Sequence, residues 1–376
     1  MLPGIARLQA GVMRLRVIAI VAAMLAVVGA GTAQAAPRLA LPRPGGVSPV
    51  GTTAFHFTDT SRADPWVPSQ RREMMVTLWY PAQYPGWRPT QYLTQRESEL
   101  MVKELGDKSV PEDALTKVRT HSTVDALPQF RRMPLVVLSP GFTLPRATLS
   151  SLAEELASRG YVVAGIGHNY ESTAITFPDG HTTECVACVA KDWVKLVKAR
   201  AADVSFVLDR LVGRNPVWGG GRLIDARRIA MVGHSIGGAS TAPAMLADRR
   251  IRAGAMLDGM YYLPVTGLDR PFLQFGAPVH EPGGTVDPSW DSAWREMTGW
   301  KRWITVNDGE HSMFTDQLLL CQQAGVPVPG LKIDPLRAIR VSEAYLTAFL
   351  DEHLRGMPQR LLDGPSPRYP EVRFWG

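Results

Sequence analysis

The sequence predicts an α/β protein: a mainly parallel central sheet with helices on both faces. Three features of the chain require it. Short apolar segments with almost no polar interruption recur from residue 134 onward, as strands buried on both faces must. Between them lie stretches with apolar residues at steps of three and four, the period of helices covering a sheet. Gly, Pro and Asn sit at the breaks, where one element must stop and the next begin.

The elements follow in order. Residues 36–50 are rich in Pro and Gly and form an extended lead-in. Strands are expected at 52–57 and 73–80, an antiparallel start to the sheet, with Asp59-Thr60-Ser61-Arg62 as the turn between them. The stretch 81–129 is irregular apart from a helix near 98–105. It is long for a connection, so it is expected to wall a substrate cleft. Strands then fall at 134–138, 161–166, 229–232, 253–257, 271–276 and 302–306. Helices fall at 147–158, 191–211, 236–247 and 340–354, the first and last stopping at Gly160 and Gly356. In the second, Val194, Val197, Ala201, Val204, Leu208 and Leu211 share one face. No internal repeat or dividing linker interrupts the pattern.

The chain has 376 residues and a net charge of +6. Arg7, Arg14 and Arg16, the apolar run 17–28 and Ala33-Gln34-Ala35 have the layout of a signal peptide at 1–35, leaving a single catalytic domain at 36–376 and a secreted protein. Those 35 residues hold three arginines and no acid, so the remainder carries +3. Its basic residues are scattered in pairs, which speaks against nucleic-acid binding. Cys185, Cys188 and Cys321 are the three cysteines. In an oxidising compartment some pair is expected to be bridged, and spacing does not choose which. Neither a redox site nor a zinc site is supported by their surroundings. No metal or cofactor is expected.

The most informative stretch is Gly233-His234-Ser235-Ile236-Gly237, which joins an apolar strand directly to a helix. That context makes it a nucleophile elbow, as in serine hydrolases. Glycines two before and two after the apex relieve backbone crowding and lift the serine hydroxyl clear of the sheet. Asp258 ends the next strand, and His311 follows the last one. A serine, an acid and a histidine in this chain order supply a nucleophile, an orienting carboxylate and a proton carrier. His168 and His280 are the other candidate bases; His168 precedes the elbow and is expected to be a cleft or packing residue, and His234 a structural one. Glu281 and Asp287 are the alternative acids. The backbone N–H groups of Ile236 and Phe142 are the expected oxyanion donors, because Pro140 has none. Met260, Tyr261, Tyr262, Leu263, Phe142 and Met313 are expected to form a greasy substrate cleft.

Several segments together resemble the secreted platelet-activating-factor acetylhydrolase (lipoprotein-associated phospholipase A2) family of α/β-hydrolases, in its bacterial esterase branch. They are Asp64-Pro65-Trp66, Ser139-Pro140-Gly141-Phe142, Phe177-Pro178-Asp179-Gly180, the elbow, Leu257-Asp258-Gly259 and His311-Ser312-Met313-Phe314-Thr315-Asp316. The resemblance implies an α/β-hydrolase fold and the triad Ser235, Asp258 and His311, with Phe142 and Ile236 as oxyanion donors. It also implies carboxylic-ester hydrolysis, whereas phospholipid specificity does not carry over; short acyl groups of lipids, with transient lipid-surface contact, stand as one candidate substrate class. The chain departs from the animal enzymes at 139–142, where they carry a His-Gly start. Acyl transfer to an alcohol, polyester or cutin hydrolysis, and a catalytically inactive binding protein are the alternatives.

Overall fold

A computed structural model describes residues 38–376, so the segment read as a signal peptide lies outside the described residues. The strands are β1 (Val50–Ala63), β2 (Arg71–Pro81), β3 (Ser122–Val124), β4 (Met133–Ser139), β5 (Val162–His168), the small hairpin β6 (Ile175–Thr176) and β7 (Thr182–Thr183), β8 (Ile224–His234), β9 (Ile251–Leu257), β10 (Phe272–Gly276), β11 (Lys301–Val306) and β12 (Val372–Trp375). Ten of them form one sheet in the order β12-β11-β10-β9-β8-β4-β5-β2-β1-β3. The six from β11 to β5 run parallel. β2 and β12 flank them antiparallel.

Side-chain alternation explains the apolar runs. In β4, Val136 and Leu138 enter one layer of core, Leu135 and Val137 the other, and all seven residues are buried. The helices are α1 (Gln95–Leu105), α2 (Ser150–Ser158), α3 (Ala187–Ala190), α4 (Trp193–Val212), α5 (Ile236–Ala239), α6 (Thr241–Ala247), α7 (Ser289–Glu296), α8 (Gln317–Ala324) and α9 (Pro335–Arg355). Leu152 and Leu156 of α2 and Tyr345 and Phe349 of α9 cover one face. Val204 and Leu208 of α4, Met245 of α6 and Trp290 of α7 cover the other. The chain passes from β4 outward to β5, then crosses back to β8 and on toward β11. The sheet therefore has its topological switch point between β4 and β8, where open α/β sheets gather functional groups.

Four expectations are corrected. The sequence 59–62 is not a turn: β1 continues through it with a register irregularity. Asp59 accepts from Ser61 N–H and Arg62 Nε, local bonds that imitate a turn, while the chain reverses at 64–70. Val194, in the first turn of α4, is 39% exposed, whereas Val197, Ala201, Val204, Leu208 and Leu211 are buried. The helix expected at 236–247 breaks at Ser240. Pro243 has no N–H for the Ala239 carbonyl, and the Ser240 and Thr241 hydroxyls bond back to Ile236 and Gly237. Finally, no residue of 81–129 lines the cleft described below. That stretch instead lays β3 along β1 and carries α1, whose Thr94–Glu97 capping box starts it before residue 98.

α2 and α9 bring buried carboxyls into one face of the core. Burial raises Glu154 to about 7, against hydrogen bonds from Ser122 and His121. Burial and the Glu155 carboxylate raise Glu343 to about 8, with Arg340 pulling the other way. The folded chain therefore holds these protons more tightly than the unfolded one. Their contribution to stability is fully present below pH 4.5 and is lost as pH rises through 7 to 8. Thermal unfolding from pH 5 to 9 should show a falling Tm, and Glu343→Gln, which cannot ionise, a shallower fall. An unchanged slope would contradict this reading of α9.

Candidate active site

β8 turns into α5 at Ser235, whose backbone is held at φ 54°, ψ −122°. Such a conformation is strained for a residue with a side chain and persists only where packing imposes it. Here the packing is backbone on backbone. A Cβ on Gly233 would lie 2.2 Å from the Gly237 carbonyl, and one on Gly237 would lie 2.1 Å from the Ser139 carbonyl oxygen at the end of β4. Only glycine fits either place. α5 is a single turn, so its dipole is small; Ile236 at its start lines the cleft, and its N–H has no acceptor among the described residues.

β9 ends at Leu257, and Asp258 follows at φ 52°. Its Oδ1 accepts from the Ala277 N–H at 2.6 Å, and its Oδ2 lies 2.7 Å from His311 Nδ1. His311, in the turn after β11, places Nε2 2.9 Å from Ser235 Oγ. Three residues on three separate strand ends thus form one continuous hydrogen-bonded line. Desolvation works to lower the basicity of His311, but the Asp258 carboxylate outweighs it and holds the imidazole above its ordinary 6.5. Burial works to raise Asp258; the bonded His311, the nearby His280 and the Ala277 N–H together hold it low. With Nδ1–H donated to Asp258, Nε2 is left as an acceptor for the serine proton.

Two other histidines buttress this line. Burial and the neighbouring His311 lower His234 to about 3, so its ring is neutral. Its Nε2–H donates to the His311 carbonyl at 2.8 Å, fixing the turn that carries His311. His280 is buried and stacked on Trp290 at 4.5 Å, with Nε2 3.6 Å from Asp258 Oδ1 and Nδ1 3.2 Å from Asp287. Asp287 thus lies behind His280, and Glu281 lies outside the line. His280, a candidate base in the sequence, instead stands behind the acid, between Asp258 and Asp287.

The cleft above Ser235 has a volume of about 640 Å³. Phe142, Trp193 and Tyr262 form its aromatic wall, with Phe142 edge-on to Trp193 at 5.2 Å and Tyr262 stacked on Trp193 at 6.2 Å. Met260, Val279 and Val286 extend the apolar rim. Phe142 and Ile236 both border the cleft, and neither N–H donates to another group among the described residues. Three expected cleft residues are not there. Tyr261 turns inward against Phe272 and the core on the α4 side. Met313 is fully buried beneath the turn that carries His311. Leu263 likewise packs beneath the wall. Trp193 was legible only as a helix start. Behind it, Cys185 and Cys188 form a disulfide and Cys321 is free.

An elbow serine at the switch point of a mostly parallel sheet, followed in chain order by an acid and a histidine, defines an α/β-hydrolase. Comparison with known proteins narrows this. The family described as platelet-activating factor acetylhydrolase, isoform II, matches residues 34–214, and the chain belongs to that family. A solved ferulic acid esterase from Streptomyces cinnamoneus superposes with a TM-score of 0.80 and is 40% identical, over 90% of this chain and all of that one. A probable 1-alkyl-2-acetylglycerophosphocholine esterase of Arthroderma benhamiae is 30% identical over 64% of this chain. A bis(hydroxyethyl) terephthalate hydrolase of Streptomyces coelicolor is 29% identical over 41% of it. The matches span 66% and 40% of the lengths of these two curated relatives.

The electrostatics make a direct prediction. In an NMR titration of the histidine rings, His311 should titrate above 6.5. Asp258→Asn should lower that midpoint by about one pH unit or more, since the charge that raises it is gone. A midpoint indifferent to the substitution would mean that the two side chains are not coupled.

Proposed function

We propose that the protein is a secreted serine carboxylic-ester hydrolase that favours esters with flat aromatic or short acyl groups. The observation that carries this is the unbroken line from Ser235 Oγ through His311 to Asp258 at 2.9 and 2.7 Å. Ser235 Oγ attacks the ester carbonyl carbon while its proton passes to His311 Nε2. Asp258 keeps Nδ1 protonated and stabilises the imidazolium. The carbonyl oxygen becomes an oxyanion facing the N–H groups of Phe142 and Ile236. The bond to the alcohol breaks, and His311 returns the proton to it. Water then attacks the acyl-serine by the same route and restores Ser235.

The acyl preference is supported by the Phe142–Trp193–Tyr262 wall, which offers flat apolar faces and few polar partners. The name of the Streptomyces cinnamoneus relative, a ferulic acid esterase, agrees with an aromatic acyl group. The name of the Arthroderma relative agrees with a short one. Secretion is supported by the Cys185–Cys188 disulfide, a bond that persists in oxidising compartments.

Ser235→Ala should abolish hydrolysis of p-nitrophenyl acetate and labelling by a fluorophosphonate, and Asp258→Asn should lower kcat about 10⁴-fold. Trp193→Ala should lower kcat/KM for methyl hydroxycinnamates by about 10- to 100-fold while changing acetate esters little. Absence of hydrolysis by the wild type across both series would overturn the proposal. An equal effect of Trp193→Ala on both would remove the aromatic preference alone.

A further inference from the structure

A second serine–histidine–aspartate set lies beneath the first. His168, at the end of β5, places Nε2 3.0 Å from Ser139 Oγ and Nδ1 2.8 Å from Asp203 Oδ2. All three are sealed from solvent, so no substrate reaches them. They belong instead to a buried charged cluster drawn from β2, β5, α4 and the loops between. Arg72 binds Asp203 at 2.6 Å, Glu171 at 2.8 Å and Asp64 at 3.0 Å. Arg200 donates from Nε to Glu171 at 2.7 Å. Each of these side chains is essentially inaccessible.

Such a cluster is poorly explained by stability. Taking charges out of water costs several kcal/mol per ion, and apolar replacements of similar volume are often as stable or more so. What apolar side chains cannot do is hold a carbonyl oxygen. Arg200 does so with its remaining arm: Nη1 donates to the Pro140 carbonyl at 2.5 Å and to Ser139 Oγ at 3.3 Å. In a trans peptide the carbonyl and the following N–H point in opposite directions. Drawing the Pro140 carbonyl down to Arg200 therefore turns the Gly141 N–H away from the core and sets the path of the chain into Phe142.

The other side of Phe142 is fixed by the same cluster. Thr143 sits at φ 65°, a costly conformation for a β-branched residue. Its N–H donates to the Glu171 carbonyl at 3.0 Å, and its carbonyl accepts from Thr173 N–H at 2.7 Å. Glu171 thus grips the loop by its backbone and Arg200 by its side chain. Between these two points the Phe142 N–H is left without a partner among the described residues, at the edge of the cleft.

We propose that Arg200 is a positioning residue for ester hydrolysis: braced by Glu171, it locks the 140–143 loop so that the Phe142 N–H faces the transition-state oxyanion. This rests on the proposed esterase activity, and Arg200 itself touches no substrate. The guanidinium is needed because it serves Glu171 and the Pro140 carbonyl together from one rigid plane, which a lysine ammonium cannot do.

The test compares the wild type, Arg200→Lys and Glu171→Gln on p-nitrophenyl acetate, with an alkyl boronic acid as a tetrahedral mimic. Arg200→Lys should lower kcat by up to the roughly 100- to 1000-fold that loss of one oxyanion donor costs, with KM within about twofold. The Ki of the boronic acid should rise in step with the fall in kcat. Glu171→Gln has one amide oxygen for two sets of donors, Arg200 Nε on one side and Arg72 Nη2 and Trp66 Nε1 on the other, so it loosens the brace and should lower kcat in the same direction. A merely structural role would lower Tm and the active fraction but leave kcat per active site, titrated with a fluorophosphonate, and the boronate Ki unchanged. That result would overturn the inference. A wild type that hydrolyses no ester would instead overturn the esterase reading.

Discussion

The structure depends on how closely β8 can approach the end of β4 as it turns into α5. Gly237 packs its Cα against the Ser139 carbonyl, where a methyl group would lie 2.1 Å away. That contact puts the nucleophile and the 140–143 loop side by side at the switch point of the sheet. It also explains why strain collects there. Thr143, Ser235 and Asp258 all have positive φ; Ser235 and Asp258 line the cleft, and Thr143 follows Phe142, which lines it too. Each conformation is unfavourable by itself, at about 1–3 kcal/mol, and is imposed by the buried layers around it.

The two serine–histidine–aspartate sets illustrate that chemistry follows from environment. Their hydrogen-bond lengths are nearly the same. Around His168, desolvation and the Arg200 cation outweigh the attraction of Asp203 and Glu171, so the ring stays neutral. Around His311 the balance tips the other way: desolvation is outweighed by the bonded Asp258 carboxylate, with Glu310 adding to it. One set opens on a cleft with two free N–H groups; the other opens on nothing and serves as scaffolding. The elbow motif and the chain order favour the first set, and accessibility gives the physical reason.

Much of the layout was legible in the sequence because it follows from simple periodicities. Strands buried on both faces must be short and apolar, and β4, β5, β9, β10 and β11 were read within a residue or two of their ends, whereas β8 starts earlier than expected, at Ile224, through a polar stretch that carries no apolar signal. Ser235, Asp258 and His311 were legible for a related reason, since each sits where a readable strand stops. The rest depends on contacts between distant parts of the chain. Tyr261 and Tyr262 differ by one position in an irregular segment, where no period tells which ring faces the cleft. Met313 lies in a 3-10 turn with the same difficulty. Asp64, Arg72, Glu171, Arg200 and Asp203 look like surface residues until the fold places them together, because charged side chains are seldom fully buried. The turn expected at 59–62 failed because Arg62 reaches Asp203 and holds that stretch in the strand.

The central claim is that Ser235, among all the serines and the free Cys321, carries the acyl group. The most direct measurement is peptide mapping by mass spectrometry after acid-quenching the protein during turnover of a slowly deacylating ester. The account predicts one acyl adduct, on the peptide containing Ser235. An adduct on Ser139 or Cys321, or turnover with no adduct on Ser235, would contradict it.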